Sequence, residues 1–455
     1  MTIKSLRLAS ILALLTTAAL ADAKKPNIVL IFTDDQGYQD LGCFGSEDIK
    51  TPHIDRMASE GRMLTSFYSA NPVCSASRAA LMTGCYPRRV LEKKTVLFPR
   101  DNVGLHPEET TIADVLKTKG YATACVGKWH LGHHPEFLPT AQGFDSYFGI
   151  PYSNDMCHPA GAKRPAYGKW DLHWSKPDKS TDWKTPLIEN EKILEHPVDQ
   201  RTITRRYTDR AISFIESNKQ NPFFLYLAHS MPHVPLYLPD ELYNPDPKRA
   251  YISVIEHIDA EVGRILDTLR STGLDQNTYV IFTSDNGPWL TFGHHAGKAK
   301  PLRNGKGSTF EGGMRVPCVT WAPGRIPANS KSNDMASTID LLPTIAAAAG
   351  ATYPAERAGK PILPSSGRSL LPDLRGEATP ERGIPTAHEG ARGYRLGDWK
   401  IVWGKRQAAP VTWQLFDLSK DPGERNNLQA EFPELVAAGM PLLDGGDAEV
   451  GIEST

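Results

Sequence analysis

Paired oxygen-bearing side chains at the ends of two apolar runs are the first chemical signal in this sequence. Asp34 and Asp35 follow one run, and Asp285 and Asn286 follow another. Adjacent carboxylates repel one another unless a cation or hydrogen bonds compensate for their charge. A fold that brought the two pairs together would form an all-oxygen cage, which suits a hard cation such as Ca²⁺ or Mg²⁺ better than zinc.

Basic residues follow two further apolar runs. Lys128 and His130 are two positions apart, so on an extended backbone they face the same way. His229 and His233 follow the other run, and Lys306 lies in the glycine-rich stretch RNGKGSTFEGG, whose backbone can approach an anion closely. Beside a cation, these groups predict a cradle for a tetrahedral oxyanion.

A solitary cysteine opens a predicted helix in the stretch NPVCSASRAALMTG, residues 71–84. The amides and the dipole at a helix start favour a bound anion at Cys74. Arg78 lies one turn later on the same face, where it could hold that anion or a modified Cys74. A lone cysteine is often a small buried apolar residue, and a thiolate is a poor ligand for a hard cation. We therefore expect a chemical change at Cys74 if it takes part in catalysis.

Strands that alternate with helices must position these residues. The predicted strands lie at 26–37, 121–132, 222–233 and 278–287, and the predicted helices between and beside them lie at 110–120, 207–219 and 251–273. Near-continuous hydrophobic runs are typical of buried parallel strands. The pattern predicts an α/β fold with a large, mostly parallel sheet flanked by helices. In such sheets ligands collect beyond the carboxyl ends of the strands, where all four runs carry their polar residues.

A smaller C-terminal α+β domain is predicted after a connector rich in proline and glycine at about 351–380. The stretches at 394–404 and 413–424 have the composition of short antiparallel strands with a turn. We place the domain boundary so that residues 24–375 form the large domain and residues 376–455 form the small one.

Residues 1–23 are typical of a secretory signal peptide. Lys4 and Arg7 form its positive end, an apolar stretch follows, and Ala21 and Ala23 flank a small-residue cleavage site. The apolar stretch is shorter than the roughly 20 residues that a membrane-spanning helix needs. The sequence therefore favours export over a membrane anchor.

Composition limits the other classes of protein. A net charge of −1 argues against a nucleic-acid-binding protein. The 6 cysteines include no C-x-x-C pair, so they predict neither a zinc knuckle nor a disulfide framework, although export permits one or two disulfides. Residues 151–200 are poorly periodic and contain Trp170, Trp174 and Trp183. We interpret this segment as a surface excursion whose aromatic residues either contact substrate or cover the edge of the sheet.

The stretch CSASRAALMTG resembles the signature of the sulfatases, hydrolases of sulfate esters within the alkaline phosphatase superfamily. The resemblance also covers TDDQGYQDLGCFG, TPHIDRMASEG, GKWHLGHHPEFLPTAQGFDSYFGIPYS, TSDNGP and GKGSTFEGGMRVP. These stretches span nearly the whole mature chain, and they are most similar to the branch of arylsulfatase A and N-acetylgalactosamine-6-sulfatase. The resemblance implies an alkaline-phosphatase-like fold and sulfate ester hydrolysis.

The resemblance also implies a role for each candidate residue. In this family the signature cysteine is oxidised to formylglycine (3-oxoalanine), whose hydrate attacks sulfur and later releases sulfate. The implied Ca²⁺ ligands are Asp34, Asp35, the modified Cys74, Asp285 and Asn286. His233 and Lys306 would bind sulfate and protonate the leaving oxygen, and His130 would act as a base. Arg78 and Lys128 would stabilise the hydrate and neutralise charge.

The expected substrate is a sulfated carbohydrate. Export, clustered aromatic residues and the basic side chains of His294 and His295 favour a polyanionic glycan, and Ser153 matches a sulfate contact in part of the family. Ala76 stands where the commonest signature has proline, a form associated with a radical-SAM maturing enzyme. The resemblance therefore implies a bacterial protein, periplasmic or secreted, that is modified before export.

Two other functions compete with this interpretation. A phosphodiesterase or phosphonate monoester hydrolase of the same superfamily uses similar loops and the same kind of modified residue. A catalytically silent glycan-binding protein would carry an unmodified Cys74. The presence of every catalytic position favours an enzyme, and the full set of sulfatase stretches favours sulfate esters over phosphate diesters.

Overall fold

A computed structural model describes residues 24–91, 95–157, 177–357, 359–404 and 413–450, so the predicted signal segment lies outside the described residues. The strands are β1 Asn27–Thr33, β2 Arg62–Leu64, β3 Phe67–Tyr68, β4 Ala122–Gly127, β5 Ser146–Gly149, β6 Leu187–Glu189, β7 Lys192–Glu195, β8 Phe223–Ala228, β9 Thr278–Ser284, β10 Cys318–Trp321, β11 Ser330–Ser332, β12 Ala336–Ser337, β13 Glu356–Arg357, β14 Lys360–Pro361, β15 Gly383–His388, β16 Ala391–Leu396, β17 Trp399–Trp403 and β18 Gln414–Asp417. The α-helices are α1 Pro52–Ser59, α2 Cys74–Thr83, α3 Pro87–Val90, α4 Ile112–Lys117, α5 Ile203–Ser217, α6 Pro247–Ser271, α7 Glu311–Met314, α8 Leu341–Ala348, α9 Leu371–Leu374 and α10 Pro433–Val450.

The large sheet has 10 strands in the order β11-β2-β10-β9-β1-β8-β4-β5-β6-β7. Its centre, from β9 to β5, is parallel, and it contains the four strands that the apolar runs predict. Thr33 pairs with Ser284, and Ala228 pairs with both Phe32 and Gly127. This register aligns the carboxyl ends of β1, β4, β8 and β9, so the polar residues that follow them meet at one edge.

Burial explains why the central strands are apolar along their whole length. Every residue of β1, β8 and β9 is buried. One face of the sheet packs on α1, α5 and α6, and the other packs on α2, α4 and α8. The predicted α/β fold, with helices on both faces of a mostly parallel sheet, is confirmed.

The described part of the segment at 151–200 is more regular than we expected. Its strands β6 and β7 form an antiparallel hairpin that extends the sheet edge beyond β5. Trp183 is buried, and its indole N–H donates to the Tyr237 hydroxyl at 3.2 Å, which is a packing role. Trp170 and Trp174 lie outside the described residues. Strands of three and four residues are too short to show a periodic pattern in the sequence.

A four-stranded antiparallel sheet, β15-β16-β17-β18, forms the C-terminal unit. The stretch at 394–404 contains the end of β16 and all of β17, and the stretch at 413–424 contains β18. These strands are confirmed, whereas β15 was not predicted.

All six cysteines are unpaired, and no helix among the described residues could cross a bilayer.

A buried charge cluster joins the C-terminal sheet to helix α7, which follows the loop of Lys306. The Lys400 ammonium on β17 lies 3.0 Å from a Glu311 carboxylate oxygen on α7 and 2.9 Å from a Glu424 oxygen. The Glu311 backbone N–H also donates to Glu424 at 2.7 Å. Burial by itself would raise the pKa of Glu311, but the nearby charges of Lys400 and Arg395 lower it to about 2. Breaking a buried ion pair leaves an uncompensated charge, so the loss of Lys400 would weaken the contact between β17 and α7.

Lys400→Met should lower the free energy of unfolding by about 3–5 kcal/mol at neutral pH, because Glu311 and Glu424 lose their shared cation. The pKa of Glu424 is already raised by burial, and loss of the Lys400 charge raises it further. The pKa of Glu311 rises as well, because Lys400 is the charge that lowers it most. Stability is then lost as the pH rises through the folded pKa, so the deficit should be larger at pH 8 than at pH 5. Urea unfolding at both pH values measures this. Lys420→Met, which removes an exposed ammonium beside Asp417, is the control and should change neither curve. Equal deficits at both pH values would contradict the prediction.

Candidate active site

The aligned strand ends bring the predicted residues into one buried site. Asp34 and Asp35 follow β1, Lys128 and His130 follow β4, His233 lies in the loop after β8, and Asp285 and Asn286 follow β9. Helix α2 begins at Cys74 above this edge. Each of these side chains is buried.

Asp35 lies at the centre of the acidic residues. Its backbone N–H donates to Asp285 at 3.1 Å, and the Asn286 amide donates to its carboxylate at 2.7 Å. Its φ of 63° is left-handed, a conformation that costs about 1–3 kcal/mol for residues other than glycine. The surrounding hydrogen bonds hold it there. Among the described residues, Oδ1 of Asp34 and Oδ1 of Asn286 are buried without a hydrogen-bond partner.

Arg78 links helix α2 to three strand ends. Its Nε and Nη2 both donate to Oδ2 of Asp285, at 3.1 and 2.9 Å. Its Nη1 donates to the Lys128 carbonyl at 3.0 Å and lies 3.4 Å from the Tyr226 hydroxyl on β8. The guanidinium also lies over the Phe32 ring on β1. The Arg78 side chain contacts four residues and has no exposed surface, so these contacts fix the position of its guanidinium group.

Lys128, Ser153 and His233 form a second contact chain. The Lys128 ammonium makes a short hydrogen bond to Asp34 and lies 3.3 Å from the Ser153 hydroxyl. That hydroxyl is 3.3 Å from the His233 ring. The Nδ1 of His233 donates to the Val234 carbonyl at 2.6 Å, which leaves Nε2 directed toward Asp35, 3.6 Å away.

Lys306 connects the cysteine to the acidic residues. Its ammonium lies 2.7 Å from Asp35 and 3.2 Å from the Cys74 sulfur. It also lies 4.5 Å from the centre of the Trp289 ring, within the range of a cation–π contact. A Cβ at Gly287 would lie 1.8 Å from the Gly312 carbonyl oxygen, so glycine is what lets the loop of Lys306 pack against the end of β9.

The hydrogen bonds of His130 assign its tautomer. Its Nε2 lies 2.9 Å from the Leu97 carbonyl and must donate to it, so Nδ1 is the basic nitrogen. Nδ1 is buried and has no hydrogen-bond partner among the described residues. The Leu97 N–H donates in turn to the Ser75 hydroxyl at 3.0 Å, so the residue after Cys74 fixes the carbonyl that orients His130.

Electrostatics in the site follow from burial among mixed charges. Burial would raise the pKa of Asp34, but the positive charge of Lys128 holds it well below its usual range. Burial and the neighbouring Asp34 charge raise the pKa of Asp285 to about 7. Burial, followed by the charge of Lys128, lowers the pKa of His130, so this ring is neutral. Burial raises the pKa of the Cys74 thiol to about 12, so an unmodified Cys74 is protonated at neutral pH.

The donor atoms fit a metal ion. One ligand atom each from Asp34, Asp35, Cys74 and His233 lie within 4.8 Å of one another. The partnerless oxygens of Asp34 and Asn286 add to this set. His233 was not among the predicted ligands, and Asp285 turns one oxygen toward Arg78 and the other toward the Asp35 amide. The three carboxylates face three cations, namely Arg78, Lys128 and Lys306, so a bound divalent cation would leave the site positively charged.

The predicted substrate contacts are only partly brought together. Ser153 lies between Lys128 and His233 in the site. His294 is exposed and His295 is buried, so the two rings do not form one surface, and their substrate role remains a prediction. Trp289 was missed, although it contacts both Lys306 and His233. An aromatic residue three positions after Asn286, in a loop that leaves a strand end, was the signal that could have identified it.

Comparison with known proteins agrees with this geometry. The model of the sulfatase family matches residues 26–351. This chain belongs to the sulfatase family. A second family model, described as the C-terminal part of N-sulphoglucosamine sulphohydrolase, matches residues 305–437.

Curated relatives of this sulfatase cover most of its length. Arylsulfatase A of Homo sapiens is 37% identical over 92% of this chain and 86% of its own length. Arylsulfatase G of Rattus norvegicus is 41% identical over 74% of this chain and 67% of its own length. N-acetylgalactosamine-6-sulfatase of Mus musculus is 37% identical over 80% of this chain and 70% of its own length. The predicted class of enzyme, a sulfuric ester hydrolase, is confirmed.

Solved structures share the fold. Ps i-CgsB, in complex with k-i-k-neocarrahexaose, has a TM-score of 0.79 at 32% identity and covers 95% of this chain and 94% of its own. A sulfatase from work on glycosaminoglycan metabolism by Bacteroides thetaiotaomicron has a TM-score of 0.78 at 29% identity, covering 93% and 99%. The phosphonate monoester hydrolase of Agrobacterium radiobacter has a TM-score of 0.67 at 19% identity, covering 93% and 96%, which shows the common fold alone.

Proposed function

We propose that this sulfatase removes sulfate from a sulfated carbohydrate, using a formylglycine formed from Cys74 and a bound Ca²⁺. The observation that carries the proposal is the position of Cys74. It is the first residue of α2, its sulfur lies 3.2 Å from the Lys306 ammonium, and it belongs to the cluster of potential metal ligands. A nucleophile at this position would have basic groups and a cation around it.

The state of Cys74 supports its modification. A buried thiol whose pKa is about 12 is almost wholly protonated at neutral pH, and the thiol is a weak nucleophile compared with the thiolate. Sulfur is also a poor ligand for Ca²⁺. The hydrate of formylglycine would supply two hydroxyl groups at this carbon, one to attack sulfur and one to release sulfate.

The acidic residues fit Ca²⁺ as the cation. Asp34, Asp35, Asp285 and Asn286 would hold it through oxygen atoms, two of which now lack a hydrogen-bond partner. The raised pKa of Asp285, about 7, is what close carboxylates produce where a positive charge would stabilise them. Bound Ca²⁺ would offset negative charge on the nonbridging sulfate oxygens.

The remaining basic residues would divide the proton transfers and the binding of sulfate among them. Lys306 and His233 both lie beside Asp35. Lys306 carries a proton that can pass to the departing alcohol. Burial lowers the pKa of His233, so its Nε2 would become a donor once the negative charge of a bound sulfate favours the protonated ring. His130 presents a neutral, basic Nδ1, which suits it to take a proton from a hydroxyl at position 74. Arg78 and Lys128 contribute fixed positive charge.

Similarity to glycan-acting proteins supports a carbohydrate substrate. The curated relatives include an N-acetylgalactosamine-6-sulfatase, and one structural relative is in complex with k-i-k-neocarrahexaose. We place Ser153 among the sulfate contacts because it lies between Lys128 and His233. The phosphonate hydrolase shares only the fold, so it does not favour that second reaction.

Maturation and location complete the proposal. Ala76, two residues after Cys74, favours a radical-SAM maturing enzyme over an oxygen-dependent one. The predicted signal segment at 1–23 favours export to the periplasm or beyond, in a bacterial cell.

Ca²⁺ should bind the wild-type protein and raise its Tm, whereas Asp34→Asn should weaken the affinity about tenfold or more, because one carboxylate of the cage becomes neutral. Calorimetric titration and thermal melts after chelation measure both effects. Asp40→Asn is the matched control, since Asp40 is a buried carboxylate of the same loop outside the proposed cage. Equal loss in both variants, or a preference for Zn²⁺ over Ca²⁺, would contradict the assignment.

Activity should rise in proportion to the fraction of chains that carry an aldehyde at residue 74, because the protonated thiol cannot replace the hydrate. Mass spectrometry of the peptide that contains Cys74, with and without co-expressed radical-SAM maturase, gives that fraction alongside sulfate release. Cys74→Ser should match unmatured protein in a host that does not oxidise serine. Strong turnover by a preparation whose Cys74 is entirely thiol would overturn the mechanism.

His233→Ala and Lys306→Ala should reduce kcat for an alkyl sulfate more than for 4-nitrophenyl sulfate, because the alkoxide needs a proton as it departs and nitrophenolate does not. Steady-state kinetics on the two substrates give the comparison. Ser153→Ala removes a proposed sulfate contact but leaves both His233 and Lys306 in place, so it is the control and should lose the same factor on both substrates. Equal losses for His233 and Lys306 would assign them to sulfate binding alone.

A further inference from the structure

A cleft of about 590 Å³ extends to the C-terminal sheet from residues 303–310, the catalytic loop that carries Lys306. One wall comes from the loops that carry Trp289 and Lys306, and the other comes from β17 and β18, at Trp403 and Gln414. The cleft is many times larger than a sulfate group. Its volume falls within the ~300–1,000 Å³ of sites that enclose an organic ligand.

The lining has the composition of a sugar site. The rings of Trp289, Phe310 and Trp403 offer flat apolar faces, and Asn304 and Gln414 offer amides that can donate and accept hydrogen bonds. Sugars present apolar C–H faces and a rim of hydroxyl groups, which this combination matches. The exposed Leu290 adds apolar surface at the cleft.

The charged side chains of the cleft already have partners. Arg303 donates to the Glu424 carbonyl at 2.8 Å and lies 3.9 Å from the centre of the Phe310 ring. Glu389 lies 3.9 Å from the His388 ring. Among the described lining residues, hydrogen-bonding amides and aromatic faces are therefore the main groups offered to a ligand beyond Lys306.

Trp289 makes the cleft continuous with the catalytic residues. Its ring lies 4.5 Å from the Lys306 ammonium and 5.5 Å from the His233 ring. A sugar whose sulfate group is held by these two residues would therefore project its ring, and whatever is attached to it, along Trp289 into the cleft.

Buried contacts fix the distance between the walls. Lys400 on β17 is paired with Glu311, which follows the catalytic loop directly. Phe310 of that loop packs near Phe416 on β18, at a ring distance of 6.3 Å. Arg392 lies 4.5 Å from the centre of the Trp403 ring and holds the ring from one side. The cleft is pre-formed, so binding of a ligand does not carry the free-energy cost of ordering its walls.

We infer that this cleft binds the sugar unit joined to the sulfated one, so that the C-terminal sheet selects oligosaccharides over sulfated monosaccharides. The inference rests on the proposed carbohydrate function and goes beyond it by naming Trp403 and Gln414 as determinants of substrate length. Neither residue touches the reacting atoms. Trp403 lies on β17 and Gln414 on β18, whereas Cys74 begins helix α2.

Kinetics on matched substrates test the inference. The probes are 4-nitrophenyl sulfate, sulfated monosaccharides such as N-acetylgalactosamine-6-sulfate, and tetrasaccharides from chondroitin sulfate, heparan sulfate and carrageenan that end in the same sulfated units. For a unit that the matured enzyme accepts, kcat/KM should be at least about tenfold higher for the tetrasaccharide, and Trp403→Ala should remove most of that ratio. The loss should be mainly in KM, since the contact is made equally before and during the reaction.

Two further variants separate binding from folding. Gln414→Ala keeps the aromatic face and should lower the same ratio by a smaller factor. Trp399 is on the same strand as Trp403, but its ring packs on Phe432 and does not line the cleft. Trp399→Ala should therefore leave the ratio of kcat/KM between tetrasaccharide and monosaccharide unchanged, even if it lowers the Tm. A loss of the ratio in Trp399→Ala as large as in Trp403→Ala would overturn the inference.

The outcomes distinguish the inference from the proposed function. If the enzyme hydrolyses 4-nitrophenyl sulfate but no carbohydrate of the panel, the proposed carbohydrate function fails. If it desulfates monosaccharides and tetrasaccharides equally well, or if Trp403→Ala lowers both by the same factor, the carbohydrate function stands and the role of the cleft is wrong.

Discussion

The buried contact between Arg78 and Asp285 is the interaction on which the rest of the site depends. It ties helix α2 to the end of β9, and the same guanidinium reaches the end of β4 through the Lys128 carbonyl. Parallel strands alone would align the acidic and basic residues, but they would not fix the height of a helix above them. With both partners out of water, separating them would leave two uncompensated charges, so Cys74 is held at a single distance from the acidic residues.

Most of the central fold could be predicted from the sequence because the physics is local. Strands buried on both faces must be apolar along their length, and β1, β4, β8 and β9 show this directly. Their parallel pairing then places Asp34, Lys128, His233 and Asp285 at one edge, whatever the details of packing. The hairpin of β6 and β7 and strand β15 could not be predicted, since their few residues carry no clear period and depend on the sheet that they extend.

The arrangement inside the site was less predictable because it depends on pairs far apart in the chain. His233 lies among the potential metal ligands, and Asp285 turns toward Arg78, only because the loops are packed to a particular depth. The same holds for Lys400, which pairs with Glu311 on α7 and with Glu424 beyond β18. Nothing in the neighbourhood of these residues in the sequence indicates their partners. The residue types and their positions at strand ends predicted which side chains gather in the site. The contacts among those side chains could be seen only in the folded structure.

The burial of Cys74 has a consequence for the order in which each chain is modified and folds. The side chain is 2% exposed and belongs to the first turn of a helix that Arg78 holds in place. The proposed modification would require an enzyme to reach the side chain of residue 74, which the folded protein buries. A chain that folds before this modification would therefore stay unmodified at residue 74 until it unfolds. The specific activity of a purified sample would then depend on the relative rates of modification and folding in the cell that made the protein. Treatment of the folded protein with the modifying enzyme would not raise that activity.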